Sequence, residues 1–121
     1  MGAPVVHFEI GGKDGKKLRA FYGKLFDWKT TETPGMDYGM VDNGGKGING
    51  GLYQAMDNTP PMATFYVAVK DPQATLDQAV ALGGRVIVPV TVIPNMVTFA
   101  QLADPDGNVI GIVKDEMPGK K

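Results

Sequence analysis

The chain has 121 residues, with 17 glycines, 9 prolines, no cysteine and a single histidine, His7. That length suits one compact domain with its own core, the missing cysteines exclude disulfides, thiolate metal sites and cysteine nucleophiles, and one histidine excludes a two-histidine metal site within one chain. Twelve basic against thirteen acidic residues leave a net charge of −1, which makes no electrostatic case for nucleic acid; no run approaches the ~20 apolar residues of a membrane span, and no signal-type apolar region opens the chain, so a cytoplasmic location is expected.

In chain order, Val5-Val6-His7-Phe8-Glu9-Ile10 alternates, with Val6, Phe8 and Ile10 on one face, which is the period of a half-buried strand. Asp14 stands where a helix N-cap belongs. Beyond it Leu18, Phe21, Tyr22, Leu25 and Phe26 recur at helical spacing as one apolar stripe. Phe21, Tyr22, Phe26 and Trp28 read as core, and Lys16, Lys17, Arg19 and Lys24 as a solvated helix face. Three strand-like runs follow, roughly Trp28–Thr33, Met36–Val41 and Gly47–Tyr53, with Asp42-Asn43-Gly44-Gly45 as a turn. The glycine-rich run from Asn43 to Gly51 lacks the spacing and the following helix of a phosphate loop, so its glycines are assigned to turning and curving the backbone.

Asn58-Thr59-Pro60-Pro61 breaks both helix and ladder and reads as a linker. The same plan then returns. Ala63–Val69 is a strand with Phe65, Val67 and Val69 on one face, Asp71 is an N-cap, and Pro72 takes the first helical position, where its missing N–H costs nothing. Leu76, Ala79 and Val80 give the helical stripe and Gly83 the C-terminal cap. Strand-like runs over Arg85–Ile93, Asn95–Ala103 and Asn108–Lys114 follow, the last entered through the turn Asp104-Pro105-Asp106-Gly107-Asn108. The tail Pro118-Gly119-Lys120-Lys121 is expected to fray. The two caps stand 57 residues apart, so the chain reads as an α+β protein of two tandem βαβββ modules, 4–56 and 62–115, within one domain, 1–121.

This duplicated plan resembles the glyoxalase/bleomycin resistance protein/dioxygenase superfamily, the vicinal oxygen chelate proteins, in its branch related to lactoylglutathione lyase. His7-Phe8-Glu9-Ile10 leading to Asp14, and Phe21-Tyr22-Gly23-Lys24-Leu25-Phe26-Asp27-Trp28, are similar to the family's opening strand and helix end. Gly50-Gly51-Leu52 is similar to the close of its first module, and Asp104-Pro105-Asp106-Gly107-Asn108 to the turn before its last strand. The resemblance implies two modules forming an open, incomplete barrel with helices on the convex side and a ligand cleft on the concave side, and a homodimer. In metal-dependent members it also implies four ligands, from the first and last strand of each module, that hold a Lewis-acidic ion.

Carried over position by position, the first-strand ligand lies seven residues before the capping Asp, which gives His7 in the first module and Thr64 in the second. The last-strand ligand falls on Gly111 in the second module and near Gly51 in the first. One of four ligands remains, so neither a metal nor another cofactor is expected. His7 then becomes either a neutral hydrogen-bonded imidazole or a general acid–base, for which its ordinary pKa of ~6.5 is suited.

By strand parity His7 and Glu9 share the face opposite Phe8, and Thr64 and Tyr66 the corresponding face of the second module. Asn49, Tyr53 and Gln101 from later strands are further candidate ligand contacts. The expected function is metal-free binding of a small molecule, with no nucleic acid or membrane partner. One alternative is a lyase or isomerase acting on a small carbonyl compound, with His7 or Glu9 as catalytic base. Another is a drug-sequestering protein of the bleomycin-resistance kind, in which Glu9, Asp37 or Asp42 attracts a cation.

Overall fold

A computed structural model of the chain describes residues 2–56 and 59–115. Asn58 of the linker and the tail Pro118–Lys121 lie outside the described residues. The elements follow the duplicated plan. They are β1 (Val5–Gly12), α1 (Gly15–Phe26), β2 (Thr30–Glu32), β3 (Tyr38–Val41) and β4 (Asn49–Gln54), then β5 (Met62–Val69), α2 (Pro72–Ala81), β6 (Arg85–Ile93), β7 (Val97–Ala103) and β8 (Val109–Lys114). The fold is α+β, two βαβββ modules in tandem. Neither helix is long and apolar enough to cross a membrane.

The chain divides into two compact units. The first runs from Val6 to Phe65; the second starts at Tyr66 and also takes in the residues up to Val5. In the first unit the strand order is β2-β3-β4-β1, antiparallel except for the parallel β1–β4 pair. In the second it is β5-β8-β7-β6, again with one parallel pair, β5–β8. Pro4 joins the second unit by accepting a hydrogen bond from Ala68 N at 2.9 Å.

Local chemistry sets the element ends. Asp14 and Asp71 are extended residues whose carboxylates accept from Lys17 N and Ala74 N, both at 3.1 Å, so each satisfies one of the unpaired donors that open a helix. α2 takes Pro72 in its first turn and is followed by Gly83 at φ +102°, a left-handed conformation that disfavours any side chain. In the 104–108 turn, Asp104 accepts from the side chain and backbone of Asn108 and from Asp106 N. Those hydrogen bonds, led by the Asn108 side chain, hold its pKa below the ordinary carboxylate value. Pro89 sits where β6 slips register against β7, on the outer strand of its unit, where a missing N–H breaks no ladder.

The core of the second unit is Leu76, Ala100 and Ile112, with Val67, Val69, Val90 and Leu102 packed against it. The first unit buries Val41 and Leu52 and centres its aromatic residues on Trp28, which lies 5.1 Å from Phe8, 5.5 Å from Tyr22 and 5.2 Å from Phe26.

Helix α1 departs from its sequence pattern in two ways. Arg19, read as solvated, is only 7% exposed; Phe21 and Phe26, read as core, are 57% and 53% exposed. One rotation of the helix explains both. Its buried positions are Gly15 and Arg19, so the Phe21–Leu25 edge of the stripe turns outward. Arg19 is satisfied where it lies: its Nε pairs with Glu32 and its Nη2 with Asp37, both at 3.0 Å, and Nη1 reaches the Leu52 carbonyl at 3.5 Å. Gly15 makes the approach possible, because a Cβ there would crowd Arg19 and Asp37.

Candidate functional site

Pairing register decides which side chains meet on the face of the first unit turned away from α1. Along β1 and β4, His7 lies opposite Asn49, Glu9 opposite Gly51 and Gly11 opposite Tyr53. Along β3 and β4, Tyr38 lies opposite Tyr53 and Met40 opposite Gly51. Paired residues share a face, so these side chains project together.

The centre of this face is the Tyr38 hydroxyl. It lies 2.9 Å from His7 Nε2 and donates to Glu9 Oε2, also at 2.9 Å. With its only hydrogen directed at Glu9, the hydroxyl offers His7 a lone pair, so the imidazole carries its proton on Nε2. Burial lowers the pKa of His7 below 6.5, which leaves the ring neutral at pH 7. Tyr53 stacks on Tyr38 with ring centroids 6.1 Å apart. Burial first, and then the negative charge of Glu9, push the Tyr53 phenol above its ordinary pKa of 10.0.

Two glycines leave the room for this arrangement. A Cβ on Gly51 would overlap the Tyr38 hydroxyl, and one on Gly11 would overlap the Tyr53 ring. The second unit repeats the device. Tyr66 pairs with Gly111 across β5 and β8, and its ring covers the glycine so closely that a Cβ there would overlap it. Gln101, opposite Gly111 on β7, donates from Nε2 to the Tyr66 hydroxyl at 2.9 Å, and Phe99 meets the ring edge-on at 6.4 Å.

Of the residues proposed from sequence, His7 and Glu9 meet through Tyr38, Tyr53 stacks beside them, and Tyr66 and Gln101 bond to each other in the second unit. Thr64 is buried on β5, with its hydroxyl 3.4 Å from the Phe65 carbonyl. Asn49 is differently engaged: its Oδ1 accepts from Asn43 N at 2.8 Å and closes the turn that precedes β4. Tyr38 was absent from the sequence-derived set. Its role depends on β3–β4 register, and the only trace of it in the sequence is the side-chain-free Gly51 that its ring covers.

The residues present do not fit the divalent ion of metal-dependent relatives. The resemblance puts Thr64, Gly111 and a residue near Gly51 where metal-dependent relatives are expected to carry ligands, and none of the three is a good donor; tyrosine side chains fill the space over both glycines. His7 Nε2 is engaged with a phenol, and among the described residues no three His, Asp or Glu side chains converge.

The model of the glyoxalase/bleomycin resistance protein/dioxygenase superfamily matches residues 5–112. The chain belongs to that superfamily. Among curated proteins it is 34% identical over 80 residues to "Putative glyoxylase CFP32" of Mycobacterium bovis and of Mycobacterium tuberculosis. The matched stretch is 66% of this chain and 31% of those relatives, so it spans about a third of their length. Among solved structures, a hypothetical protein from Bacillus halodurans C-125 superposes with a TM-score of 0.71 at 13% identity, covering 100% of both chains. A superfamily member from Vibrio splendidus 12B01 gives 0.63 at 15% identity, over 94% of this chain and 100% of that one. Methylmalonyl-CoA epimerase from Mycobacterium tuberculosis gives 0.64 at 13% identity, over 91% and 86%. At these identities the superpositions show the shared fold.

Proposed function

We propose that this protein binds a small carbonyl-bearing molecule against the His7–Tyr38–Glu9 face of its first unit and needs no divalent metal to do so. The observation that carries this is the hydrogen-bonded bridge in which one phenol joins a neutral imidazole to a carboxylate. The bridge presents both donors and acceptors beside the stacked Tyr38 and Tyr53 rings, and a few convergent polar groups beside aromatic surface are what fix the orientation of a small ligand. A thermal-shift screen of small carbonyl metabolites, run with EDTA and again with zinc or nickel, tests it. Stabilising ligands should act equally in both series and fail with Tyr38→Phe. Tight stoichiometric binding of a divalent ion that disappears in His7→Ala would overturn the metal-free assignment.

The same bridge favours a second reading, proton transfer of the isomerase or lyase kind. A neutral imidazole and a carboxylate joined by one hydroxyl are two groups that can each hold a substrate proton and pass it between them. The names of the relatives, glyoxylase and methylmalonyl-CoA epimerase, support this class of chemistry. Deuterium uptake from D2O into the carbon next to the carbonyl of a bound metabolite tests it, and binding without exchange leaves the binding role alone. Turnover of the hemithioacetal of methylglyoxal and glutathione tests the lyase activity directly; no turnover with or without nickel or zinc removes it.

A further inference from the structure

The outward rotation of α1 leaves its apolar edge as one wall of an open groove of about 800 Å³. This groove lies within the first unit, on the α1 side of β1, away from His7 and Glu9. Its apolar lining comes from Ile10 of β1, from Leu18, Phe21 and Tyr22 of α1, and from Pro61 and Met62 at the start of β5. The volume falls within the ~300–1,000 Å³ of small-molecule sites.

Charge decides what kind of molecule suits it. Lys13 and Lys17 border the groove, both are exposed, and neither ammonium has a carboxylate partner among the described residues. Asp14, the carboxylate in the lining, accepts from Lys17 N as the helix cap, and it leaves an excess of positive charge at this border. An apolar slot bordered by two unpaired ammonium groups complements a molecule with an apolar chain and one anionic head.

We propose that this groove binds an amphipathic carboxylate of the fatty-acid type, with its chain along Phe21, Leu18 and Met62 and its carboxylate between Lys13 and Lys17. Trp28, the only tryptophan, stacks on the groove residue Tyr22 at 5.5 Å, so its fluorescence reports occupancy.

The test titrates the full chain with laurate, dodecanol and dodecyltrimethylammonium, three probes of equal chain length and different head charge, below their micelle concentrations. Laurate should bind at one molecule per chain and about tenfold tighter than dodecanol, a difference of ~1.4 kcal/mol, with the cation weakest. Lys13→Gln with Lys17→Gln, both at exposed positions, should bring laurate to the dodecanol level and leave dodecanol unchanged. Phe21→Ser should weaken all three probes. Tyr38→Phe should change none of them, which separates this site from the His7 face. Equal binding of laurate and dodecanol, or laurate binding indifferent to the lysine changes, overturns the proposal. So does a dimer in light scattering that Phe21→Asp dissociates while laurate fails to bind, because a second copy of the chain then covers the groove.

Discussion

The Tyr38 ring lies across the α-carbon of Gly51, so the two residues divide one volume between them: the glycine supplies the space and the phenol fills it. Tyr66 and Gly111 divide a second volume in the same way. At residue 111, and near residue 51, the resemblance leads one to expect a ligand in metal-dependent relatives; here each glycine is closed over by a neighbouring tyrosine.

Gly51→Ala should therefore cost about 1–3 kcal/mol through overpacking against Tyr38. In a Tyr38→Ala background the same substitution should become neutral or slightly stabilising, because alanine restricts the unfolded chain more than glycine does. Urea denaturation of the four proteins in a double-mutant cycle measures the coupling. Additive effects would mean that ring and glycine do not share that space.

Tyr38→Phe keeps the ring over Gly51 and removes only the oxygen shared by His7 and Glu9. A loss of about 1–2 kcal/mol in stability is expected. Nitrogen-15 NMR of His7 should show the Nε2–H tautomer in the parent protein and a shifted Nε2 resonance in the variant.

His7 titrates below 6.5 in the folded protein because burial disfavours the imidazolium. Between that lowered pKa and 6.5 the unfolded chain binds more protons, so stability should fall as pH drops through this window and be restored above it. His7→Gln should remove this component. Denaturant midpoints of both proteins at pH 7.5 and 5.5 give the comparison, and an identical pH dependence would refute it.

Arg19→Met should destabilise the protein by about 2–3 kcal/mol, the range for unpairing a buried ion pair after allowance for solvent screening, since Glu32 and Asp37 remain 65% and 48% exposed. Arg19→Lys should recover less than half of that, because one ammonium cannot reach two carboxylates and a carbonyl with the fixed spacing of a guanidinium. Chemical denaturation at low and high salt measures both effects.

Much of the fold was legible because its signals are local. Asp14, Asp71 and Pro72 cap helices, and Asp104 to Asn108 closes a turn, through contacts within a few residues. Alternation along β1 assigned Phe8 and His7 to opposite faces correctly, since a strand's side-chain period is fixed by its backbone. The helix rotation was not legible. Hydrophobic period assigns the inward face to the apolar stripe, whereas here two carboxylates on β2 and the β2–β3 turn draw Arg19 inward. Tyr38 was missed for a related reason. Its partners His7 and Glu9 lie 31 and 29 residues away in the chain, and only strand pairing brings them within reach.

Asp37, one of the Arg19 partners, is the residue immediately before Tyr38, and its carbonyl also accepts from Gln54 N at 3.1 Å. The phenol on one surface of the sheet is thereby aligned by a guanidinium on the other. Ionic strength becomes a weak remote tuning knob: high salt, acting on the solvent-facing carboxylates of the Arg19 pairs, should loosen the strand start that carries Tyr38 while leaving the apolar interior intact. Charge substitutions at positions 19, 32 or 37 should then move the Tyr38 hydroxyl relative to His7 and Glu9 without touching either residue, so the geometry of one surface is adjustable from behind.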